Sequence, residues 1–378
     1  MKKIALLLVM LMLAVTVTAA SKFKQVQTKV SDLKERLAPD SRTALWDVEI
    51  HTKGRAVIVY GLVGTQEMKS QLENEFKDDN RVTVDVRVAQ DIQPADKRWG
   101  LVKLAVATLR CQGKHSAEIA TQAVMGTPVK VLDDVGDWYR VQLPDDYIAW
   151  VPSSSLQFRT TNQMREWRES KRSIVTVYGS QLVSEPGGDE VVSDLVLSCI
   201  LNYMGEQGDW VHVSTPDGRG GWVEKSAVAD FDTWKQQSFN LDLIERTARR
   251  MMGSGYLWGG TSTKVTDCSG LMKVSYLANG IILQRDASQQ ALTGKKIADW
   301  HDCTLGDLLF FGNSKTGRVT HVGMYLRDGK YIHCSGQVKI NDLDPNAPGY
   351  LYSPLSISRI QGQLGTKGIT TVAAHPWY

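Results

Sequence analysis

Three residues in the last third of the chain have the types and order of a thiol nucleophile, its general base and an orienting group. Cys268 lies in the run DCSG ahead of an apolar helical stretch, and His321 and His333 follow. A thiol reacts as the thiolate, and a helix N-terminus or a nearby imidazolium can lower its pKa from about 8.5 to roughly 3.5–7.5. We therefore predict that Cys268 attacks a carbonyl carbon, His321 takes the thiol proton and His333 orients His321.

The elements that must position these residues are predicted as helices followed by an antiparallel sheet. Helical periodicity at 241–252 precedes a glycine-rich turn and the helix that starts near Cys268. Strands are predicted at 307–311, 320–326 and 330–333. A short turn at Asp328-Gly329 would place His333 on the strand next to that of His321. This is the order of an α+β domain in which both histidines face the helix end across a groove.

An internal repeat occupies the middle of the chain. The segment 136–151 matches the segment 208–223 at a constant offset of 72, with Gly, Asp, Trp, Val, Pro and Trp in register. In each copy, alternating apolar residues lead through a Pro-Asp turn into a second short strand. The repeat predicts two copies of one small antiparallel barrel.

The segment before the repeat has a different pattern. Helices are predicted near 26–37 and 66–76, and strands near 46–50, 56–62 and 82–88. These elements indicate a small α/β domain, whose single histidine, His51, is interpreted as a polar strand residue. Between the two barrels, residues 161–172 are predicted to form a charged, helical and solvated connector.

The N-terminus has the features of a secretory signal. Basic residues at positions 2 and 3 precede an apolar run at 4–17 and small residues at 18–20. The apolar run is shorter than the ~20 residues that a membrane span needs, so a retained anchor is the less favoured alternative. We expect an exported protein without stable membrane insertion, in the periplasm or, as the alternative, in the extracellular space.

Composition narrows the classes of partner. The chain has 44 basic and 41 acidic residues and a net charge of +3, which predicts no attraction to nucleic acid. It has five cysteines, and Cys268 is the one expected to be free. Disulfides or buried thiols both remain open for the other four, Cys111, Cys199, Cys303 and Cys334. No CxxC pair or HExxH helix is present, so neither a metal site nor a cofactor is predicted.

Several motifs together resemble known families. The segments YLWGG and DCSGL, followed by HVGMY and YIH, are similar in order to the NlpC/P60 family of cell-wall cysteine peptidases over residues 240–375. The GDW and later W-V segments of the repeat resemble bacterial SH3-like domains over residues 99–230. The resemblance implies a multidomain protein with a small α/β N-terminal domain, two SH3-like β-barrels and a papain-like α+β catalytic domain. The expected divisions are 1–20 for the signal peptide, 21–98 for the N-terminal domain, 99–158 for the first barrel, 159–231 for the second barrel with its connector, and 232–378 for the peptidase.

The whole layout resembles the γ-D-glutamyl-L-diamino acid endopeptidases within that family. This resemblance implies cleavage of peptidoglycan stem peptides after L-Ala-γ-D-Glu, with a free amine on the alanine and the first barrel closing the end of the cleft. The backbone N–H of Cys268 and the hydroxyl of Tyr256 are expected to bind the oxyanion. The residues expected to bind substrate are Glu118, Tyr147, Trp258, Asp267, Ser269, Asp286 and Ser288.

Two departures and two alternatives accompany this resemblance. Ala287 stands where relatives often have Ser, with Ser288 next, and Arg219 stands in the second barrel where the first has Tyr147. An arginine cannot bind an ammonium group, so the second barrel is interpreted as structural. The alternative functions are a hydrolase of intact, glycan-linked wall and a non-catalytic wall-binding protein. Diaminopimelate and lysine both remain open as the third stem residue, as does the oligomeric state.

Overall fold

A computed structural model describes residues 21–378, so the predicted signal peptide lies outside the described residues. The first part of the described chain is a three-stranded sheet with helices packed against it. Helix α1 covers residues 21–37. It is followed by β1 (Trp46–Lys53), β2 (Ala56–Val63), α2 (Gln66–Phe76), β3 (Val82–Val88) and α3 (Ala89–Ile92). Strand β2 is central, antiparallel to β1 and parallel to β3.

The next segment is a seven-stranded antiparallel barrel. Its strands are β4 (Trp99–Val102), β5 (Val106–Arg110), β6 (Ile119–Val124), β7 (Pro128–Val135), β8 (Trp138–Gln142), β9 (Ile148–Pro152) and β10 (Leu156–Arg159). They hydrogen-bond in the order β10-β4-β7-β8-β9-β5-β6. Alternate residues of these strands point inward and form a core of small and branched apolar side chains.

The second barrel repeats the topology of the first. Helix α4 (Thr161–Glu169) leads into β11 (Arg172–Val175), β12 (Gly179–Val183), β13 (Val191–Val196), β14 (Ile200–Gln207), β15 (Trp210–Ser214), β16 (Gly220–Glu224) and β17 (Val228–Asp230). The order β17-β11-β14-β15-β16-β12-β13 is that of the first barrel with each strand number raised by seven. The sequence repeat therefore corresponds to a repeat of strand order.

The connector between the barrels differs from its prediction at its C-terminal end. The helix ends at Glu169, and Arg172 is the first residue of β11 rather than a solvated helical residue. Its side chain is 1% exposed and lies between the rings of Trp167 and Phe231. The guanidinium carbon, Cζ, is 4.4 Å from the centroid of the Trp167 ring and 4.2 Å from that of the Phe231 ring. Stacking on two aromatic faces stabilises a guanidinium that the charge pattern assigned to solvent.

The last segment packs helices on one face of an antiparallel sheet, and this papain-like α+β fold is confirmed. The helices are α5 (Phe231–Lys235), α6 (Leu241–Arg250), α7 (Cys268–Leu277) and α8 (Ala287–Gln290). The strands are β18 (Thr261–Ser262), β19 (Val265–Thr266), β20 (Ile281–Leu283), β21 (Lys295–Ile297), β22 (Leu308–Asn313), β23 (Arg318–Tyr325), β24 (Lys330–Ser335), β25 (Gln337–Asp342), β26 (Ser356–Arg359) and β27 (Ile369–Thr371). The main sheet has the order β21-β26-β22-β23-β24-β25, and α7 packs across β23 and β24 in the largest apolar core.

None of the helices formed by residues 21–378 combines the length and the apolarity needed to cross a bilayer. All five cysteines lie within the described residues, and none forms a disulfide. The alternative left open for four of them is therefore answered in favour of free thiols.

Candidate active site

Cys268 is the first residue of helix α7, and the local sequence explains why the helix begins there. Asp267 is the N-cap, and its carboxylate accepts a hydrogen bond of 2.7 Å from the backbone N–H of Gly270. A side chain at position 270 would overlap the carbonyl oxygen of Gly260, so glycine lets the turn before the helix pack closely. The result is a cysteine 7% exposed at a helix N-terminus, where backbone N–H groups lack carbonyl partners within the helix.

The two histidines form a hydrogen-bonded chain that continues to an asparagine. His321 Nε2 lies 2.7 Å from His333 Nδ1, and His333 Nε2 lies 2.7 Å from Asn341 Oδ1. Asn341 Nδ2 donates to the carbonyl of Gly349 at 2.5 Å. This chain links the expected base, the expected orienting group and a residue that the sequence analysis missed.

The donor and acceptor of each hydrogen bond in this series follow from the bond that Asn341 makes to Gly349. Because the Asn341 amide nitrogen donates to Gly349, its oxygen accepts from His333 Nε2–H. Burial lowers the pKa of His333, so the ring is neutral at pH 7 and its Nδ1 accepts from His321 Nε2–H. His321 therefore presents an unprotonated Nδ1 as the atom available to take a proton.

Asn341 lies where the sheet register brings it beside His333. Strand β25 pairs with β24 so that His333 faces Lys339 and Tyr331 faces Asn341. Asn341 is two residues beyond Lys339, so it is a diagonal neighbour of His333 on the same face of the sheet. The sequence signal is the Ser-Gly-Gln turn after β24, but the last strand predicted from sequence ends at His333, so no hairpin is expected there.

The nucleophile and base are both uncharged in the resting site. Burial, with the Asp267 carboxylate, raises the pKa of the Cys268 thiol to about 11. Burial, with the nearby His333 and Lys339, lowers the pKa of His321 to about 4. Neither the helix N-terminus nor a neighbouring imidazolium thus produces the low thiol pKa considered from sequence. The arrangement suits transfer of the thiol proton to His321 as the sulfur attacks.

A cavity of about 810 Å³ opens beside the nucleophile and contains side chains from distant parts of the chain. It brings together Cys268 and all the residues expected to bind substrate or oxyanion: Glu118, Tyr147, Tyr256, Trp258, Asp267, Ser269, Asp286 and Ser288. Thr320 lines it as well, while the next residue, His321, and the fully buried His333 lie behind this surface. Trp258 is 60% exposed, so a large apolar face is open to a ligand at the cavity wall.

Tyr256 lies on the cavity wall near the nucleophile. Its backbone N–H bonds to Gly336, and burial raises the pKa of its hydroxyl, which stays protonated at neutral pH. Among the described residues, no side chain or carbonyl accepts from this hydroxyl. The Tyr256 hydroxyl and the N–H of Cys268 are thus two donors on one cavity wall, and their binding of an oxyanion stays a prediction.

Asp267 has a fuller set of partners than the sequence suggested. Arg285, 1% exposed, donates to it at 2.5 and 3.2 Å, and the N–H groups of Gly259 and Gly270 also donate to it. Arg285 reaches Ser269 Oγ at 2.9 Å as well. The structure thus makes Asp267 the N-cap of α7 and the counter-ion of a buried arginine. The expected contact of Asp267 with substrate stays a prediction, and Arg285 is a second residue that sequence reasoning missed.

The first barrel contributes directly to the cavity. The hydroxyl of Tyr147 donates to Asp286 Oδ2 at 3.1 Å, which joins a barrel loop to the start of α8. The exposed Glu118 lies on the same wall. The barrel is tied to the peptidase segment by Lys273, whose ammonium lies 2.5 Å from the buried Asp145 carboxylate. Barrel and peptidase therefore form one cleft.

The second barrel has no equivalent role. Arg219, which corresponds to Tyr147, donates to Asp217 and to the carbonyls of Val192 and Lys103. It joins the two barrels and does not line the cavity of Cys268. This agrees with the structural interpretation of the second copy.

Comparisons by family model, by sequence and by structure all find dipeptidyl-peptidases or NlpC/P60 proteins similar to this chain. Residues 253–354 match the model of the NlpC/P60 family, and residues 109–156 match the bacterial dipeptidyl-peptidase Sh3 domain. A γ-D-glutamyl-L-lysine dipeptidyl-peptidase of Bacillus subtilis is 30% identical over 57% of this chain and 72% of its own length. A protein of the same name from Bacillus cereus is 26% identical over 73% of this chain and 90% of its own length. A crystal structure of a Bacillus cereus NlpC/P60 family protein aligns with a TM-score of 0.61 at 24% identity, covering 69% of this chain and 99% of that one, and shows the same fold.

Proposed function

Because the chain belongs to the NlpC/P60 family of cysteine peptidases, we propose that it hydrolyses the bond between γ-D-glutamate and the diamino acid of peptidoglycan stem peptides. We propose further that its substrates carry a free amine on the N-terminal L-alanine. Both relatives described above bear the name γ-D-glutamyl-L-lysine dipeptidyl-peptidase, which supports this bond as the target. Such a reaction belongs to the turnover or recycling of muropeptides.

The proposed reaction uses the neutral Cys268–His321 pair. The sulfur of Cys268 attacks the γ-carbonyl carbon of D-glutamate while His321 Nδ1 takes the thiol proton. The Cys268 N–H and the Tyr256 hydroxyl donate to the resulting oxyanion. His321 then gives the proton to the leaving amine, the C–N bond breaks and a thioester remains. Water, deprotonated by the same imidazole, attacks the thioester and releases the dipeptide and the thiol.

The observation that carries the free-amine requirement is the position of the first barrel. Glu118 and Tyr147 share one cavity with Cys268, which supports a cleft whose end, where the alanine would lie, is closed by the barrel. A glycan attached to that alanine would have to pass through this wall. An ammonium group at the same place would meet the carboxylates of Glu118 and Asp286, which offset its loss of hydration.

The test is hydrolysis of L-Ala-γ-D-Glu-diaminopimelate beside its N-acetylated form, followed by mass spectrometry. The lysine-containing peptides are run in parallel, and Cys268→Ala is the control that removes the nucleophile. We expect cleavage of the free-amine peptide only, with no cleavage by the variant. Equal cleavage of both forms would instead favour the hydrolase of intact, glycan-linked wall.

We also propose that the protein acts outside the cytoplasm as a soluble periplasmic enzyme, with the extracellular space as the alternative. The basic, apolar and small-residue pattern of positions 1–20 supports export and cleavage after Ala20. Fractionation of expressing cells and N-terminal sequencing of the mature protein test this. Protein found in the cytoplasmic fraction with Met1 still at its N-terminus would contradict the proposed export.

A further inference from the structure

A turn of the N-terminal segment reaches into the cleft of Cys268. Between α1 and β1, the N–H groups of Thr43 and Ala44 both donate to the carbonyl of Asp40, at 3.1 and 3.0 Å. The Asp40 carboxylate accepts from the backbone N–H of Arg42 at 3.0 Å. This short turn carries Arg42 to the cavity wall, where it lies among residues of the barrel and the peptidase segment.

The Arg42 guanidinium is held by partners in two segments of the chain. Its Nε and Nη2 each donate to Asp40 at 2.8 Å. Its Nη1 donates to Asp286 Oδ2 at 2.7 Å and to Ser288 Oγ at 3.0 Å. These four bonds engage most of the five N–H donors of a guanidinium. Arg42 is therefore suited to fixing Asp286 and Ser288 in place rather than to binding a carboxylate of the substrate.

The main chain of Arg42 holds the barrel loop at the same time. Its carbonyl accepts from the N–H of Ile148 at 2.7 Å, next to Tyr147. The Tyr147 hydroxyl and the Arg42 guanidinium donate to the same oxygen, Oδ2 of Asp286. Arg42 thus contacts both ends of the Tyr147 interaction. Its carbonyl binds the loop backbone next to Tyr147, and its guanidinium binds Asp286, the carboxylate that accepts from the Tyr147 hydroxyl.

The charges around Arg42 favour a cation at this end of the cleft. Glu118 and Asp286 line the cavity beside Arg42, and Asp40 pairs with Arg42 next to them, while the further cation of the lining, Arg318, lies at the start of β23. Asp267 and Arg285 form a separate pair that leaves no net charge. The excess of negative charge remains even though both Asp40 and Asp286 are paired with Arg42, and it complements an ammonium group.

We infer that Arg42 is a positioning residue for recognition of the substrate amine, and that the N-terminal segment completes the end wall of the active site. The inference rests on the proposed function, since the amine is that of an N-terminal alanine. The Arg42 guanidinium donates to Asp40, Asp286 and Ser288, and neither Cys268 nor His321 is among its partners. Its loss should therefore weaken binding of the free-amine peptide and leave the chemical step almost unchanged.

The experiment compares steady-state kinetics of the full protein with Arg42→Met and Arg42→Lys, using the free-amine and N-acetylated tripeptides. Met has an unbranched side chain of similar length but no guanidinium. Lys keeps the positive charge but lacks the several planar N–H donors of arginine. We expect KM for the free-amine peptide to rise about tenfold in Arg42→Met with kcat within about twofold, and the preference over the acetylated peptide to fall. Arg42→Lys should restore part of the loss.

The matched control is Asp47→Ala. Asp47 pairs with Arg140 and so also joins the N-terminal segment to the first barrel, but it does not line the cleft. We expect wild-type kinetics from this variant. If Arg42→Met does not fold, Asp40→Asn weakens the anchor of Arg42 without changing Asp286, and KM should rise in the same direction.

Three results would overturn the inference alone: an unchanged KM in Arg42→Met, a lower KM, or the same increase in Asp47→Ala. A lower KM would mean that the guanidinium only opposes the ammonium charge, and the same increase in the control would mean that domain docking in general is responsible. Failure of the wild-type protein to cleave either peptide would overturn the proposed function and this inference together.

Discussion

At the scale of single residues, the hydrogen-bond partner of His333 decides which nitrogen of His321 can act as base. Asn341 accepts from one side of His333, so the other side must accept from His321. Without Asn341, His333 could take the tautomer that is protonated on Nδ1. Its Nδ1–H and the Nε2–H of His321 would then be two donors facing each other, and the hydrogen bond between the rings would be lost. The Asn341 amide thus fixes the tautomers of both imidazole rings, His333 and His321.

Asn341→Ala should lower kcat and leave KM nearly unchanged. We expect a decrease of roughly 10- to 100-fold, below the 10²–10⁴-fold usually contributed by a general base, because His321 itself remains. Steady-state kinetics on the free-amine tripeptide measure both constants. Asn341→Asp keeps an acceptor for His333 and is the control. Equal losses in both variants would contradict the role assigned to the accepting oxygen.

The burial of His321 also predicts how stability depends on pH. Its pKa falls from 6.5 in the unfolded chain to about 4 in the folded protein, so between these values only the unfolded chain takes up a proton. This contribution is complete above pH 6.5 and is lost as the pH falls towards 4. The shift corresponds to roughly 3 kcal/mol. His333, whose pKa is also lowered, acts with the same sign.

Urea denaturation at pH 7 and pH 4.5 measures this loss. His321→Gln, which cannot titrate, should lose less unfolding free energy than the wild type over the same range. Equal losses in the two proteins would mean that other groups cause the acid sensitivity.

At the scale of elements, the start of α7 combines catalysis with a buried ion pair. The carboxylate of Asp267 caps the helix and neutralises Arg285, whose remaining donors contact Ser269 and Thr121. Thr121 belongs to the first barrel, so this pair also joins the nucleophile helix to the neighbouring domain. Removing one partner would leave a charge that solvent cannot reach.

Asp267→Ala should therefore destabilise the protein by roughly 3–5 kcal/mol, because it leaves Arg285 buried and unpaired. Chemical denaturation measures the change in unfolding free energy. The double variant Asp267→Ala with Arg285→Met removes both charges and should recover part of the loss. A loss below about 1 kcal/mol in the single variant would show that Arg285 finds another partner or water.

Periodicity and motif order predicted the nucleophile helix and the two histidine strands, since these signals are local. Strand β25 alternates polar and apolar residues but was missed because no hairpin was predicted after His333, and with it Asn341, whose position depends on the hairpin register. Arg172 and Arg285 were missed for a different reason. Each is a charged side chain whose burial depends on rings or a carboxylate from elsewhere in the fold. No spacing within the sequence shows such partners.

At the scale of the whole molecule, the two barrels are joined to the peptidase segment by ion pairs of very different burial. Lys273 and Asp145 are 16% and 6% exposed, and Asp145 also accepts from the backbone N–H of Tyr147. Lys264 and Asp194 join the peptidase segment to the second barrel but are 54% and 47% exposed. The first pair therefore supports the Tyr147 loop, whereas the second lies in solvent.

Lys273→Met should lower the melting temperature and raise KM for the free-amine peptide, because it leaves the Asp145 carboxylate buried without its cation. Lys264→Met is the matched control, and its exposed pair should cost at most about 1 kcal/mol. Calorimetry and steady-state kinetics on both variants measure these effects. Similar behaviour of the two variants would contradict the distinction between the junctions.

The joint formed by positions 42, 147 and 286 has a consequence for the order of events in biosynthesis. The partners of Asp286 precede it by 244 and 139 residues. A ribosome, which makes the chain from its N-terminus, will have released Arg42 and Tyr147 long before Asp286 emerges. The joint therefore closes only after most of the polypeptide has been made, so the Arg42 side of the cleft is completed after both barrels have been synthesised.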